Sequence, residues 1–319
     1  MSDDWAQALR ELPLVLGGNT FGWTSSVEES FRILDAYAEL GGRFVDTADV
    51  YSAWAEGHQG GESEAVIGRW LSGPGRGRGV MVGTKVSRHP QYQGLTRANV
   101  LAAADASLTR LGVDCIDVYF AHYDDPHTPI AETVQAFHDL QTAGKVRWVG
   151  LSNYEGARVE EWLAVADVLG FERPVVLQPH YNLVRREPYE RDLQPVAQEH
   201  DLAVVPYFAL ASGFLTGKYR TPEDLAASPR RRYAAPYFSA EGLAVVEEIG
   251  RIAADHAVAP STVALAWLLH RPQVVAPIAS ARTVDQLTHL AAAGQLQLDP
   301  EELELLDSTS ARIPDPALR

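Results

Sequence analysis

The sequence predicts an α/β fold: a (β/α)8 TIM-type barrel, read as a single domain over residues 1–319, with its active site at the C-terminal face of the strands. Three observations carry that expectation. Short β-branched runs recur eight times along the 319 residues. Stretches of helical apolar periodicity lie between them, and strands that alternate with helices pair in parallel. No linker rich in Pro, Gly or Ser divides the chain, and a barrel of this kind typically needs roughly 250 residues.

The elements follow in order. Strands are expected at 14–20, 44–47, 80–85, 116–122, 146–152, 175–179, 203–207 and 274–279. Helices are expected at 26–40, 62–71, 96–111, 129–143, 155–169 and 188–200, with another starting near Thr283. Ser26, Thr96 and Pro129 suit helix starts, and Gly41, Gly112, Gly144 and Gly170 suit helix ends, where a left-handed residue is favoured. The surplus over a minimal barrel falls in the N-terminal lead, the loop 52–61, the excursion 211–239 and the tail from about Asp299.

Composition narrows the function. There are 42 acidic against 27 basic residues, a net charge of −15. Without a basic tract, nucleic acid and anionic membrane are poor partners, because either needs a concentrated positive face. A small anionic ligand in a local pocket stays compatible with this balance. Cys115, the one cysteine, leaves no internal disulfide or cysteine-rich metal site, fits a reducing compartment, and reads as a small buried apolar residue. The opening MSDDWAQALR has no apolar core of a secretory signal, and no apolar run reaches the roughly 18 residues of a membrane span. A soluble, cytoplasmic protein is the expectation.

A barrel of this type gathers its chemistry at the C-terminal strand ends. Those positions carry Asn19 and Thr20, Asp46 with Tyr51, Lys85, His122, Ser152 with Asn153, Gln178, Tyr207, and Ser280 with Arg282. Asp46, Tyr51, Lys85 and His122 make sense as a unit. A tyrosine hydroxyl, with an unperturbed pKa of about 10, donates poorly at neutral pH unless a cation stabilises the phenolate. Lys85 is that cation, a carboxylate such as Asp46 would hold its charge, and His122 could hydrogen-bond a substrate oxygen beside the Tyr51 hydroxyl. Together they suit protonation of a carbonyl that receives a hydride.

These residues also resemble a known family. The run Asp46, Thr47, Ala48, Asp49, Val50, Tyr51, the strand end Gly83, Thr84, Lys85, and His122 followed by Asp125, Thr128 and Pro129 look like the aldo-keto reductases. The likeness continues through Gly150 to Asn153, Gln178 to Asn182, Tyr207 to Leu210, Gly213 to Lys218, and Ser280, Arg282 and Gln286, in order from about Leu14 to about Leu305. The resemblance implies the barrel, a nicotinamide dinucleotide bound without a Rossmann motif, and a tetrad with Tyr51 as general acid, Lys85 lowering its pKa, Asp46 anchoring Lys85 and His122 orienting the carbonyl. It implies that Ser152, Asn153 and Gln178 hold the carboxamide while Tyr207 stacks on the ring. Phe208, Ala209, Leu210, Gly213, Leu215 and Lys218 would line the pyrophosphate, Ser280, Arg282 and Gln286 the adenosine end, and Asn19, Thr20 and Phe21 would complete the cofactor site. A guanidinium suits a 2′-phosphate, so Arg282 points to NADP(H) over NAD. Leu290 stands where many relatives carry an asparagine that contacts adenine.

Other segments have plainer readings. Trp23, Trp54 and Tyr123 are expected to line the substrate pocket. The stretch from His122 to His127 lacks a defined metal-ligand geometry, and no metal is expected. Residues 73–79 precede a strand and read as a connector on the opposite face, and Arg230 to Arg232, in a long segment after Gly213 that could fold over the dinucleotide, are read first as a solvated charge run. The function expected is NADPH-dependent reduction of a small aldehyde or ketone. A nicotinamide-binding, redox-sensing regulatory subunit with little turnover is the alternative, and a non-redox isomerase or lyase on the same scaffold is a third.

Overall fold

Alternation of side chains along eight short strands decides what meets inside the barrel. The computed structural model describes residues 7–228 and 230–314. The first six residues of the N-terminal lead and the last five of the C-terminal tail lie outside that range. The strands are β1 (Val15–Gly17), β2 (Phe44–Asp46), β3 (Met81–Val86), β4 (Ile116–Ala121), β5 (Val146–Ser152), β6 (Val176–Gln178), β7 (Ala203–Val204) and β8 (Ile278–Ala279). They pair in parallel in the order β8-β1-β2-β3-β4-β5-β6-β7. The remaining gap is spanned by a parallel bridge between Val204 and Val274. There the Val275 N–H donates to the Val204 carbonyl at 3.0 Å and the Ile278 N–H to that of Pro206 at 2.9 Å. The eight parallel strands with helices between them are the (β/α)8 arrangement expected.

Inward positions form one cluster, including Val15, Phe44, Val118, Phe120, Trp148, Val176, Val205 and Ile278. Outward ones such as Leu16, Val45, Val82, Val149, Leu151 and Leu177 pack in a second cluster with the helices. Inside, bulk is balanced by glycine. A Cβ on Gly83 would come within 2.7 Å of the Phe44 ring, and one on Gly150 within 2.4 Å of Phe120. The two phenylalanines therefore fill the space that these glycines vacate.

The first five helices, Val27–Glu39, Glu62–Ser72, Arg97–Leu111, Ile130–Thr142 and Gly156–Leu169, follow the apolar period closely. The Ser26 hydroxyl accepts from the Glu29 N–H, and Thr283 does the same for Gln286 at the start of Val284–Ala291. Prolines explain most departures. The strands expected at 203–207 and 274–279 are cut to two residues each, because Pro206 and Pro277 have no N–H for a ladder. The helix expected at 188–200 opens as a π-turn over Tyr189–Leu193 before Gln194–Glu199, where Pro195 lacks the donor that regular winding needs. Cys115 is exposed rather than buried, since it sits in the turn ahead of β4. A small hairpin, Arg88–His89 with Tyr92–Gln93, follows β3, and Pro222–Ala226, Arg231–Ala234, Ala240–Asp255, Pro260–Leu269 and Pro300–Ser310 are the other α-helices among the described residues. No single helix among the described residues is long and apolar enough to cross a membrane.

Candidate active site

The period-two alternation that turns Phe44 inward and Val45 outward turns Asp46 inward at the end of β2. The same logic sends Val82, Thr84 and Val86 outward on β3 and leaves Gly83 and Lys85 facing the interior. Lys85 is completely buried and Asp46 nearly so, and the ammonium lies 2.7 Å from both carboxylate oxygens. Lys85 also donates to the Thr47 carbonyl at 2.6 Å and to the Tyr51 hydroxyl oxygen at 3.1 Å, so its three donors are used. Tyr51 in turn donates to Asp46 at 3.2 Å, and Gln178, from the end of β6, donates to the other carboxylate oxygen at 2.8 Å.

Electrostatics follow from this crowding. Burial, then the charge and hydrogen bond of Asp46, push the Tyr51 hydroxyl well above its usual 10. That direction is opposite to the expected lowering by Lys85, because desolvation and the carboxylate outweigh the ammonium. Burial pulls Lys85 down, while Asp46 opposes it. His122, one residue past β4, is held well below 6.5 by burial and then by the charges of Lys85 and Arg88. It is therefore a neutral imidazole at physiological pH, able to hydrogen-bond but not to supply the proton.

A cavity of about 810 Å³ opens above these groups. One end is lined by Tyr51, His122, Trp23, Trp54 and Tyr123. Trp54 meets Tyr51 and Trp23 edge-on, with ring centroids 6.0 and 5.5 Å apart. In the middle lie Asn19, Ser152, Asn153, Gln178 and Tyr207. The register sets Ser152 beside Gln178. Asn153 donates to Ser152 at 3.0 Å and to the His122 carbonyl at 2.9 Å, and accepts from Tyr207 at 2.5 Å. The ring and the amides are thus tied into one wall.

The far end is built from Phe208, Ala209, Leu210, Gly213, Lys218, Ser280, Arg282, Gln286 and Leu290. Phe208, Ala211, Ser212 and Gly213 hold positive φ, backbone strain of the kind that collects at functional loops, and within it the Ala211 and Gly213 N–H groups donate to the Phe208 and Leu210 carbonyls. Asn153 shares that conformation. A Cβ on Gly213 would strike the Lys218 ammonium at 2.6 Å. Arg230 also lines this end, and burial followed by the neighbouring Arg282 charge lowers its pKa. A dianionic group fits there because two guanidiniums and an ammonium face a space with no carboxylate among its described lining residues. Leu290 adds an apolar surface to this end.

Thirteen of the sixteen residues expected at a cofactor site line this cavity; the other three, Thr20, Phe21 and Leu215, are buried behind it. Thr20 reaches the Ala281 carbonyl at 3.5 Å, while Phe21 and Leu215 belong to the outer core, so they shape the wall and do not face a ligand. Arg230 lines the cavity instead of standing in solvent, and Arg88 is a second lining cation that sequence reasoning did not single out. Arg231 and Arg232, beside Arg230, are solvent-exposed as expected, and nothing in an Arg-Arg-Arg run tells which side chain turns inward. The carboxylates after His122 are engaged elsewhere: Asp124 pairs with Arg158, and Asp125 accepts from the Leu95 N–H and the Thr128 hydroxyl.

The sequence is similar to known proteins over most of its length. The family described as "Aldo/keto reductase family" matches residues 13–311. An aldo-keto reductase of Strobilurus tenacellus is 32% identical over 289 residues, covering 89% of this chain and 81% of the relative. A Schizosaccharomyces pombe protein named as an NADP(+) aldo-keto reductase is 31% identical, covering 86% and 80%. A second protein of that yeast, named as a candidate voltage-gated potassium channel subunit beta, is 33% identical, covering 88% and 84%.

Proposed function

The chain belongs to the aldo/keto reductase family, and from that premise we propose that it is an NADPH-dependent reductase of small aldehydes or ketones with Tyr51 as the proton donor. The observation that carries the reading is the Tyr51 hydroxyl, 3.1 Å from the Lys85 ammonium and beside His122 in the floor of the cavity. Bound reduced nicotinamide would supply the hydride to the carbonyl carbon. The protein's own groups do the rest. Ser152, Asn153 and Gln178 offer the amide and hydroxyl partners that orient a carboxamide, and Tyr207 gives a flat platform for the ring.

As the carbonyl oxygen gains charge, neutral His122 hydrogen-bonds it and Tyr51 releases its proton to it. Lys85, fixed by Asp46 and the Thr47 carbonyl, then stabilises the phenolate left behind. The high resting pKa of Tyr51 keeps that proton available until the oxygen becomes basic. Lys218, Arg230 and Arg282 suit the pyrophosphate and a 2′-phosphate, which supports NADP(H) over NAD(H).

A second reading, a nicotinamide-binding subunit with little turnover, is favoured by the similarity to the yeast protein named for a channel subunit. One assay separates the two. NADPH absorbance should fall in the presence of some members of a panel of aldehydes, ketones and sugar-derived carbonyls. Tight NADPH binding with no consumption across the panel would support the second reading instead.

A further inference from the structure

The charged groups lining the cavity divide by position. Lys218, Arg230 and Arg282 stand at the dinucleotide end, Asp46 is neutralised by Lys85, and one more cation, Arg88, lies at the opposite end with Tyr51 and His122. Arg88 comes from the hairpin after β3, directly after Ser87, which is held at φ 124°. Its guanidinium lies over the Tyr123 ring, 4.0 Å from the centroid, and Tyr123 in turn lies 5.0 Å from the His122 ring. Among the described residues, no carboxylate lies within ion-pair distance of it. Asp124 and Asp125 follow Tyr123 in sequence, yet Asp124 is turned to Arg158 and Asp125 to the Leu95 N–H and Thr128. Arg88 is solvent-exposed, and its charge is felt at His122.

We propose that Arg88 is a subsite for an anionic group on the substrate, so that the preferred substrates are carbonyl compounds bearing a carboxylate a short chain or a single ring away from the reacting carbon. This rests on the reductase reading and adds the substrate class to it. Stacking on Tyr123 holds the planar guanidinium with its donors free, a geometry suited to two parallel hydrogen bonds from a carboxylate. Trp23 and Trp54 give the intervening segment an apolar, aromatic wall. A neutral carbonyl of the same shape would lack the charge-assisted bonds, which are worth about tenfold or more in affinity.

The test compares 4-carboxybenzaldehyde with its methyl ester in the wild type, Arg88→Gln and Arg88→Glu. The acid-to-ester ratio of kcat/KM should fall about tenfold or more in Arg88→Gln, chiefly through KM, and further in Arg88→Glu. In the wild type the same ratio should shrink as salt is raised. In parallel, 4-(hydroxymethyl)benzoate and its methyl ester are titrated into NADP+-loaded protein, with tryptophan fluorescence as the signal because Trp23 and Trp54 line the same end. If no carbonyl is reduced by the wild type, the reductase reading fails, while the titration still decides the role of Arg88. Acid-to-ester ratios that are the same in all three proteins would overturn the proposal.

Discussion

Lys85 uses all three of its donors in a space with no water-exposed surface, and the behaviour of its neighbours follows from that. Burial and then the Lys85 charge keep His122 neutral, whereas burial and then Asp46 keep Tyr51 protonated. Because the His122 value lies well below 6.5 and that of Tyr51 well above 10, neither group changes charge between about pH 6 and pH 8. The expected outcome is a level kcat/KM for carbonyl reduction across that range, measured with saturating NADPH. A bell centred near neutrality would mean that one of the two titrates there and that the assignment of the proton to Tyr51 is mistaken. Residue identity was legible at these positions because a strand end fixes both the place and the direction of a side chain. Arg88 and Arg230 were not legible in the same way. Arg88 opens a two-residue hairpin strand and Arg230 precedes a short helix, and the direction of each depends on packing that no local pattern encodes.

The inward face of the strands is a matched set of large and small residues. Gly150→Val should cost about 1–3 kcal/mol, since the new side chain meets the Phe120 ring and the Val176 Cγ1 methyl, and chemical denaturation would measure it. Adding Phe120→Leu should recover part of the loss by reopening the space. No loss in the single variant would contradict the inward placement of Gly150. The strands themselves were visible as β-branched runs, but their lengths were not. Pro206, Pro277 and Pro195 each remove a donor at a point where periodicity alone continues the element. The hairpin at 88–93 was equally hidden, because its strands are two residues long and carry no apolar alternation.

Across the whole molecule, the net charge of −15 surrounds a cavity whose lining carries four cations and the single, neutralised carboxylate of Asp46 among the described residues. Under the proposed reading a small polyanion would be held by these few placed cations against the acidic background, with the two arginines of the far end nearest a 2′-phosphate. Arg282→Ala and Arg230→Ala should each reduce the preference for NADPH over NADH by about tenfold or more, read as the ratio of dissociation constants. The preference should also weaken with ionic strength. An unchanged ratio in either variant removes that arginine from the 2′-phosphate.

The central claim is that Tyr51 delivers the proton. Its most direct measurement is the turnover of Tyr51→Phe on a carbonyl that the wild type reduces, together with the NADPH dissociation constant of the same variant. The account predicts that NADPH binds as in the wild type while kcat falls by about 10²–10⁴-fold. Wild-type turnover in Tyr51→Phe would contradict it.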